Sequence, residues 1–190
     1  MEKIVLASGS PRRKEILEKY NIEPIIVPSK ITETINKDED PYQIAMSLAF
    51  NKALDVSKGY VNNIVIGADT IVVYKGMVLG KPKDEQEAFY MLSMLSGNVH
   101  DVITGISLIK GDLKIVDYEK TKVKFKVLSK DRINAYINTR EPMDKAGAYG
   151  IQGKGAILVE NIDGCYSNVV GLPLSKIDKL LNKYFSFNIL

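Results

Sequence analysis

The most restrictive feature of the sequence is an almost continuous apolar run at residues 63–74, NIVIGADTIVVY. A short run rich in isoleucine and valine favours a buried strand near the centre of a sheet. GADT interrupts the run, and a carboxylate such as Asp69 inside a core must be paired, hydrogen-bonded or bound to a metal. Gly67, just before it, indicates a bulge or a close approach by another backbone segment. Asp69 is either a structural carboxylate paired with a lysine or, as we expect, a metal-facing side chain at a strand end.

The rest of the chain shows helix and strand signals in alternation. Helices are predicted where an N-cap residue or a proline precedes an apolar stripe: from Pro11 to Tyr20, from Asp40 to about Ser57, between Asp84 and Gly97, at residues 131–138, and from Pro173 onward. Strands are predicted at residues 3–6, 63–74, 102–109, 113–118, 122–127 and 156–159. This order indicates an α/β fold with a mixed, partly antiparallel sheet flanked by helices.

Composition excludes several classes of protein. The 190 residues are most simply one domain spanning 1–190, and 45% hydrophobic with 26% charged residues is typical of a soluble globular chain. No apolar run approaches the ~20 residues of a membrane span, and MEKIVLAS is too short for a signal peptide. The single cysteine, Cys165, cannot form an internal disulfide, so we expect a cytoplasmic protein. The net charge of +3 is too mild to favour a nucleic-acid partner.

Two arginines stand at an unfavourable place near the start of the chain, in SGSPRR. With Ser10 as N-cap and Pro11 as the first helical residue, Arg12 and Arg13 fall in the first turn of a helix. The positive end of the helix dipole lies there and favours a carboxylate by about 0.3–1 kcal/mol. An anionic ligand at this helix start would explain the arginines, because helix N-termini bind phosphates.

Two lysines also fall at unexpected places. Lys52 continues the apolar stripe that begins at Ala45, so it is either a lysine covering an apolar edge or a cation directed into a cleft. Lys81, in LGKPKD, is either a solvated loop residue or part of the same group of cations. A nucleoside triphosphate with Mg²⁺ would account for these cations around Asp69, because Mg²⁺ is usually held by one or two carboxylates plus substrate phosphates.

Other motifs are absent or weak. No GxxxxGK[ST] P-loop occurs in the sequence. The glycines between 147 and 155 have no strand leading into them, as a dinucleotide fingerprint would require, so they form a loop or let the backbone approach a ligand. His100 and Cys165 have no second metal ligand or catalytic partner placed by a motif, and we expect structural roles for both.

Over nearly its whole length the chain resembles the Maf family of nucleoside triphosphate pyrophosphatases. The matching stretches are LASGSPRRKEIL at 6–17, ITET at 31–34, GADTIV at 67–72, GKPKD at 80–84, LSGNVHDVITG at 95–105, EPMDKAGAYGIQGKGA at 141–156 and VVGLPL at 169–174. The resemblance implies hydrolysis of a nucleotide between its α and β phosphates with a divalent cation, Mg²⁺ or Mn²⁺. It also implies an α/β fold around a deep cleft, usually in a homodimer.

The same resemblance assigns site residues. Asp69 matches the proton acceptor of the family, and together with Glu33 it would hold the metal. Four residues match those that line the family's triphosphate site: Ser8, Ser10, Arg12 and Arg13. Lys52, Lys81 and Lys145 match other polar groups of the same cleft. We expect a nucleoside triphosphate as the partner, with no nucleic acid and no membrane.

Three positions separate branches of the family. Arg12, Thr70 and Gln152 match the branch that acts on dTTP and UTP, whereas the branch resembling 7-methyl-GTP pyrophosphatases carries Trp, Gln and Glu there. An alternative is an inosine or xanthosine triphosphate pyrophosphatase. Another is a non-catalytic nucleotide sensor, because family members are associated with septum formation and division arrest.

Overall fold

The computed structural model describes residues 3–32 and 39–190. The strands are β1 Ile4–Leu6, β2 Ile25–Ile26, β3 Ile64–Tyr74, β4 Met77–Leu79, β5 Val99–Lys110, β6 Leu113–Phe125 and β7 Val159–Asp163. The helices are α1 Pro11–Glu18, α2 Pro41–Ser57, α3 Glu85–Leu95, α4 Lys130–Ile137, α5 Tyr166–Val170 and α6 Leu174–Phe185. Short 3₁₀ segments lie at Glu141–Asp144, Ala146–Ala148 and Lys154–Leu158. None of the helices in the described ranges is long and apolar enough to cross a membrane.

Within the described residues the strands form one seven-stranded sheet in the order β2-β1-β3-β5-β6-β7, with β4 paired to β3. β1 runs parallel to both neighbours, and Val5 lies opposite Ile25 on one side and Val65 on the other. The β3–β4 and β6–β7 pairs are antiparallel. The predicted α/β class with a mixed sheet flanked by helices is therefore confirmed, and the sheet is mostly antiparallel.

The chain divides into two compact units, and β3, β5 and β6 contribute residues to both. The first unit takes in Met1–Asp69, Thr104–Glu119 and Gly171–Leu190, and the second takes in Thr70–Ile103 and Lys120–Val170. A buried apolar cluster in the first includes Val5, Ala53 and Val65. A cluster in the second includes Leu92 and Phe125. The single domain over 1–190 stays a prediction.

Helix α2 lies with its backbone directly against the sheet of the first unit. A Cβ atom on Gly67 would stand 2.3 Å from the carbonyl oxygen of Ala49 and 2.8 Å from the Cβ of Ala53. A Cβ on Gly105 would stand 2.1 Å from the carbonyl oxygen of Ala45. Of the two interpretations of Gly67, the close backbone approach is the one observed, and it places the inner face of α2 on β3 and β5.

Three local predictions are wrong. The strands predicted at 113–118 and 122–127 are one continuous strand, β6. The strand predicted at 156–159 is a 3₁₀ segment, and β7 begins at Val159. The backbone N–H groups of Lys154 and Gly155 donate to the carboxylate of Glu141 at 2.8 and 3.1 Å, which holds a turn here instead of a strand. The first helix was predicted to reach Tyr20, but α1 ends at Glu18 and the Tyr20 side chain is exposed.

Candidate active site

Arg13 and Ser8, both predicted to line a phosphate site, contact each other inside the first unit. The guanidinium donates from Nη1 to the Ser8 hydroxyl at 3.0 Å and from Nε to the carbonyl oxygen of Gly171 at 2.7 Å. Ser8 and Arg13 are both buried. The Ser8 hydroxyl also accepts a hydrogen bond from the backbone N–H of Ser10 at 3.2 Å. Arg13 therefore ties the segment before α1 to the backbone that precedes α6.

The start of α1 confirms the predicted positions of Ser10 and Pro11. Ser10 stands at the N-cap and Pro11 begins the helix, but the Ser10 side chain makes no capping hydrogen bond. Arg12 is half-buried, in contrast to the buried Arg13. The two adjacent arginines thus occupy different environments. Arg13 is the more deeply buried of the two.

Lys52 and Asp69 form a buried ion pair. The Lys52 ammonium donates directly to Oδ1 of Asp69, and the two side chains are 13% and 12% exposed. Lys52 lies on α2, within the apolar stripe that the sequence indicated. Asp69 lies in the middle of β3, so the strand-end position expected for it is wrong. The lysine-paired arrangement considered for Asp69 is therefore present in the structure. The desolvation cost of two buried charges offsets much of their attraction, so stability alone is a weak reason for such a pair.

Of the two predicted metal ligands, Asp69 lies within the described residues. Across residues 3–32 and 39–190, no group of three or more His, Cys, Asp or Glu side chains is placed to hold a metal ion. Glu33, the second predicted ligand, lies outside the described residues. Asp69 alone still fits Mg²⁺, because that ion is often bound through one or two carboxylates plus substrate phosphates and water.

Four predicted site residues belong to the second unit. Lys145 is mostly buried and donates from Nζ to the carbonyl oxygen of Glu141 at 2.8 Å and to Oδ1 of Asp144 at 2.6 Å. The other three are the half-buried Thr70 and the exposed Lys81 and Gln152.

The second unit also contains a polar side chain that pattern reasoning did not single out. Glu141 accepts hydrogen bonds from the Tyr136 hydroxyl and from the backbone N–H groups of Lys154 and Gly155. Burial alone would raise its pKa, but these donors and Lys145 lower the pKa below its ordinary value. Glu141 is therefore an ionised hydrogen-bond acceptor at neutral pH. The closely spaced glycines that follow Glu141 were the sequence feature that could have pointed to its role.

His100 is buried among aromatic rings of the second unit. Its Nε2 lies 2.9 Å from the Tyr149 hydroxyl, and the ring meets those of Phe125 and Tyr149 edge to face. Nδ1 is buried and has no hydrogen-bond partner in the structure. Burial lowers the pKa of His100 from 6.5 to about 4, so the ring is neutral at physiological pH. This environment fits the structural role expected for it.

We expect His100 to make the protein less stable in mild acid. Below pH 6.5 the unfolded chain binds a proton at this histidine, whereas the native ring binds one only near pH 4. The free energy of unfolding should therefore fall by about 2 kcal/mol between pH 7 and pH 5 through this group. Urea denaturation at both pH values measures it, with His100→Asn as the comparison. An equal loss in wild type and variant would contradict the prediction.

The family model described as Maf-like protein matches residues 3–184. The chain belongs to this family. Among its curated relatives, "dTTP/UTP pyrophosphatase" of Clostridioides difficile (strain 630) is 54% identical over 188 residues, covering 98% of this chain and 97% of the relative. A protein of the same name in Bacillus cereus (strain G9842) is 49% identical over 184 residues, covering 97% and 96%. The Maf-like assignment thus applies to nearly the whole chain.

Solved structures are also similar to this Maf-like chain, and one of them has low identity. It is titled "The structure of the Staphylococcus aureus Ham1 protein" and is 14% identical. The similarity covers 83% of this chain and 80% of that chain, with a TM-score of 0.42.

Proposed function

We propose that this Maf-like protein hydrolyses dTTP and UTP between the α and β phosphates, giving a nucleoside monophosphate and pyrophosphate. The observation that carries the proposal is the buried Lys52–Asp69 pair, in a chain 54% identical to a protein named dTTP/UTP pyrophosphatase. A carboxylate beside a cation provides a proton acceptor next to a group that attracts phosphate. Together they can support the attack of water on a phosphoanhydride.

The triphosphate is proposed to bind at the N-terminus of α1. The backbone N–H groups of a helix start and the helix dipole favour an anion there, and the Ser10 side chain makes no capping hydrogen bond. Arg12, the less buried arginine, would add charge-assisted hydrogen bonds to phosphate oxygens. Arg13 would hold the Ser8 hydroxyl in place, so that Ser8 and Ser10 border the same anion site.

Asp69 is proposed to accept the proton of the attacking water. The water oxygen forms a bond to the α-phosphorus, the bond from that phosphorus to the bridging oxygen breaks, and the electron pair leaves with pyrophosphate. Lys52 holds the Asp69 carboxylate in the free enzyme and would stabilise phosphate charge when substrate is bound.

A divalent cation, Mg²⁺ or Mn²⁺, is proposed as the cofactor, with Asp69 and Glu33 as its protein ligands. When bound, the ion would neutralise phosphate charge and polarise the phosphoryl group. Asp69 would then face both the metal and the water. Lys52 would keep its carboxylate oriented.

The remaining assignments rest on the family resemblance. Lys81 and Lys145 are proposed to stabilise the pyrophosphate leaving group, and Thr70 and Gln152 to hydrogen-bond the pyrimidine base. A site built around such hydrogen bonds rejects bases that leave its polar groups unpaired. We also propose a homodimer, as the family resemblance implies. We place it in the cytoplasm, because the lone cysteine and the nucleotide substrate fit that compartment.

A pyrophosphate-release assay with common nucleoside triphosphates, with Mg²⁺ and with Mn²⁺, tests the proposal. We expect dTTP and UTP to give monophosphate and pyrophosphate, with little product from purine nucleotides. The nucleotide product identifies the bond that is cleaved. Turnover of inosine or xanthosine triphosphate alone would overturn the assigned substrate. Nucleotide binding without turnover under either metal would favour a sensor.

A further inference from the structure

We propose that Glu141 is a positioning residue that fixes both ends of the backbone segment carrying Gln152 and also anchors Lys145. The inference rests on the proposed function, in which Gln152 recognises the base and Lys145 contacts the leaving group. Glu141 opens a 3₁₀ segment after Arg140, whose φ is +63°. Its carboxylate accepts hydrogen bonds from backbone N–H groups, and its carbonyl oxygen accepts one from Lys145.

The Glu141 carboxylate binds the backbone on the C-terminal side of Gln152 directly. Oε2 accepts from the N–H of Lys154 at 2.8 Å, and Oε1 accepts from the N–H of Gly155 at 3.1 Å. Hydrogen bonds to an ionised acceptor are stronger than those between neutral groups. Residues 154 and 155 are therefore fixed to a side chain more than ten positions earlier in the chain.

The N-terminal side of Gln152 is fixed through Tyr136. The Tyr136 hydroxyl donates to Oε1 of Glu141 at 2.9 Å and accepts from the backbone N–H of Gly150 at 3.1 Å. The hydroxyl belongs to a buried ring on α4, so it is a rigid bridge. The exposed Gln152 thus projects from a short loop whose two ends lead to one carboxylate.

Lys145 is anchored to the same residue. Its ammonium donates to the Glu141 carbonyl oxygen at 2.8 Å, and its stem passes the backbone at Gly150. A Cβ on Gly150 would stand 2.6 Å from Cε of Lys145, and a Cβ on Gly153 would stand 2.4 Å from Oε2 of Glu141. These glycines therefore let the backbone approach the protein's own charged side chains closely.

Glutamine at position 141 would have the same shape but the wrong hydrogen-bonding pattern. Its amide has one acceptor oxygen and one NH₂ donor. Whichever way it is turned, the NH₂ faces the backbone N–H of Lys154 or of Gly155, which leaves that donor without a partner. The N–H that faces the NH₂ loses its hydrogen bond to an ionised acceptor, so the loop should move away and release Gln152 from its position.

The experiment compares Glu141→Gln with Glu160→Gln as the matched control. Glu160, on β7 of the same unit, makes an exposed ion pair with Lys124 of β6, so its replacement should leave activity unchanged. We expect Glu141→Gln to lower kcat/KM for dTTP about tenfold or more and to reduce the ratio of kcat/KM for dTTP to that for dGTP. Amide hydrogen exchange at Gly150, Lys154 and Gly155 should become faster.

Tyr136→Phe provides a milder second variant, because it removes only the bridging hydroxyl and keeps the ring. It should show a smaller loss of dTTP selectivity in the same direction, and it decides the question if Glu141→Gln does not fold. Wild-type selectivity in the folded variants, or a parallel loss on dTTP and dGTP, would overturn the positioning role. Absence of dTTP hydrolysis by the wild-type protein would instead overturn the proposed function, and hydrogen exchange would still report the contacts of Glu141.

Discussion

Replacing Asp69 with asparagine is expected to lower kcat for dTTP by about 10²–10⁴-fold while nucleotide binding is retained. Asparagine has nearly the same volume and still offers Lys52 an acceptor oxygen, so the packing of this buried side chain should change little. It cannot accept the proton of the attacking water at neutral pH. Steady-state kinetics with an independent binding titration of dTTP separate the loss of turnover from a loss of affinity.

Asp112→Asn is the matched control, because Asp112 is exposed in the turn between β5 and β6. It should behave as wild type. Wild-type turnover in Asp69→Asn would remove Asp69 from the chemistry. A metal titration of Asp69→Asn distinguishes its two proposed roles. If excess Mg²⁺ restores turnover, Asp69 acts mainly in metal binding. If turnover stays low at saturating metal, Asp69 acts in proton transfer.

Elements specified by short-range chemistry could be predicted from the sequence. The Asp40 and Asp84 carboxylates cap α2 and α3 by accepting from the N–H groups of Tyr42 and Glu87, each at 2.8 Å. Each cap lies within three residues of its partner, so local pattern is sufficient. β5 begins at Val99, before its predicted start at residue 102, and the strands predicted at 113–118 and 122–127 are one strand, β6. Pairing with neighbouring strands extends both beyond what alternation of side chains indicates.

The contacts within the candidate site also fall into two groups: those that a local sequence pattern indicates and those that depend on residues far apart in the chain. A buried carboxylate needs a partner, so a lysine pair for Asp69 was one of the two alternatives, although a metal-facing carboxylate was the expected one. The inward-facing Lys52 on the preceding helix was the visible candidate for that pair. The hydrogen bond of Arg13 to Gly171 joins residues 158 positions apart and has no local signature. The role of Glu141 was hidden for a related reason, because its partners are backbone N–H groups, which every sequence supplies.

Gly67→Ala is expected to lower the free energy of unfolding by about 4 kcal/mol or more, because the added methyl group meets backbone atoms that cannot rotate away. The new Cβ would lie 2.3 Å from the Ala49 carbonyl oxygen, more than an ångström inside the 3.4 Å at which ordinary contact begins. Helix α2 must therefore move away from β3, and Lys52 moves with it relative to Asp69. Gly59→Ala is the control, since its nearest neighbour would be the Val56 carbonyl oxygen at 3.9 Å.

Urea denaturation gives the stability of each variant, and dTTP kinetics on protein that is still folded give the effect on the site. The control should remain within about 0.5 kcal/mol of wild type. We expect Gly67→Ala to lose turnover beyond its unfolded fraction, because the pair of Lys52 and Asp69 spans the contact that the methyl group opens. Unchanged stability would contradict the close packing of α2 on β3. Lower stability with full turnover per folded molecule would show that catalysis does not depend on the spacing between the helix and the strand.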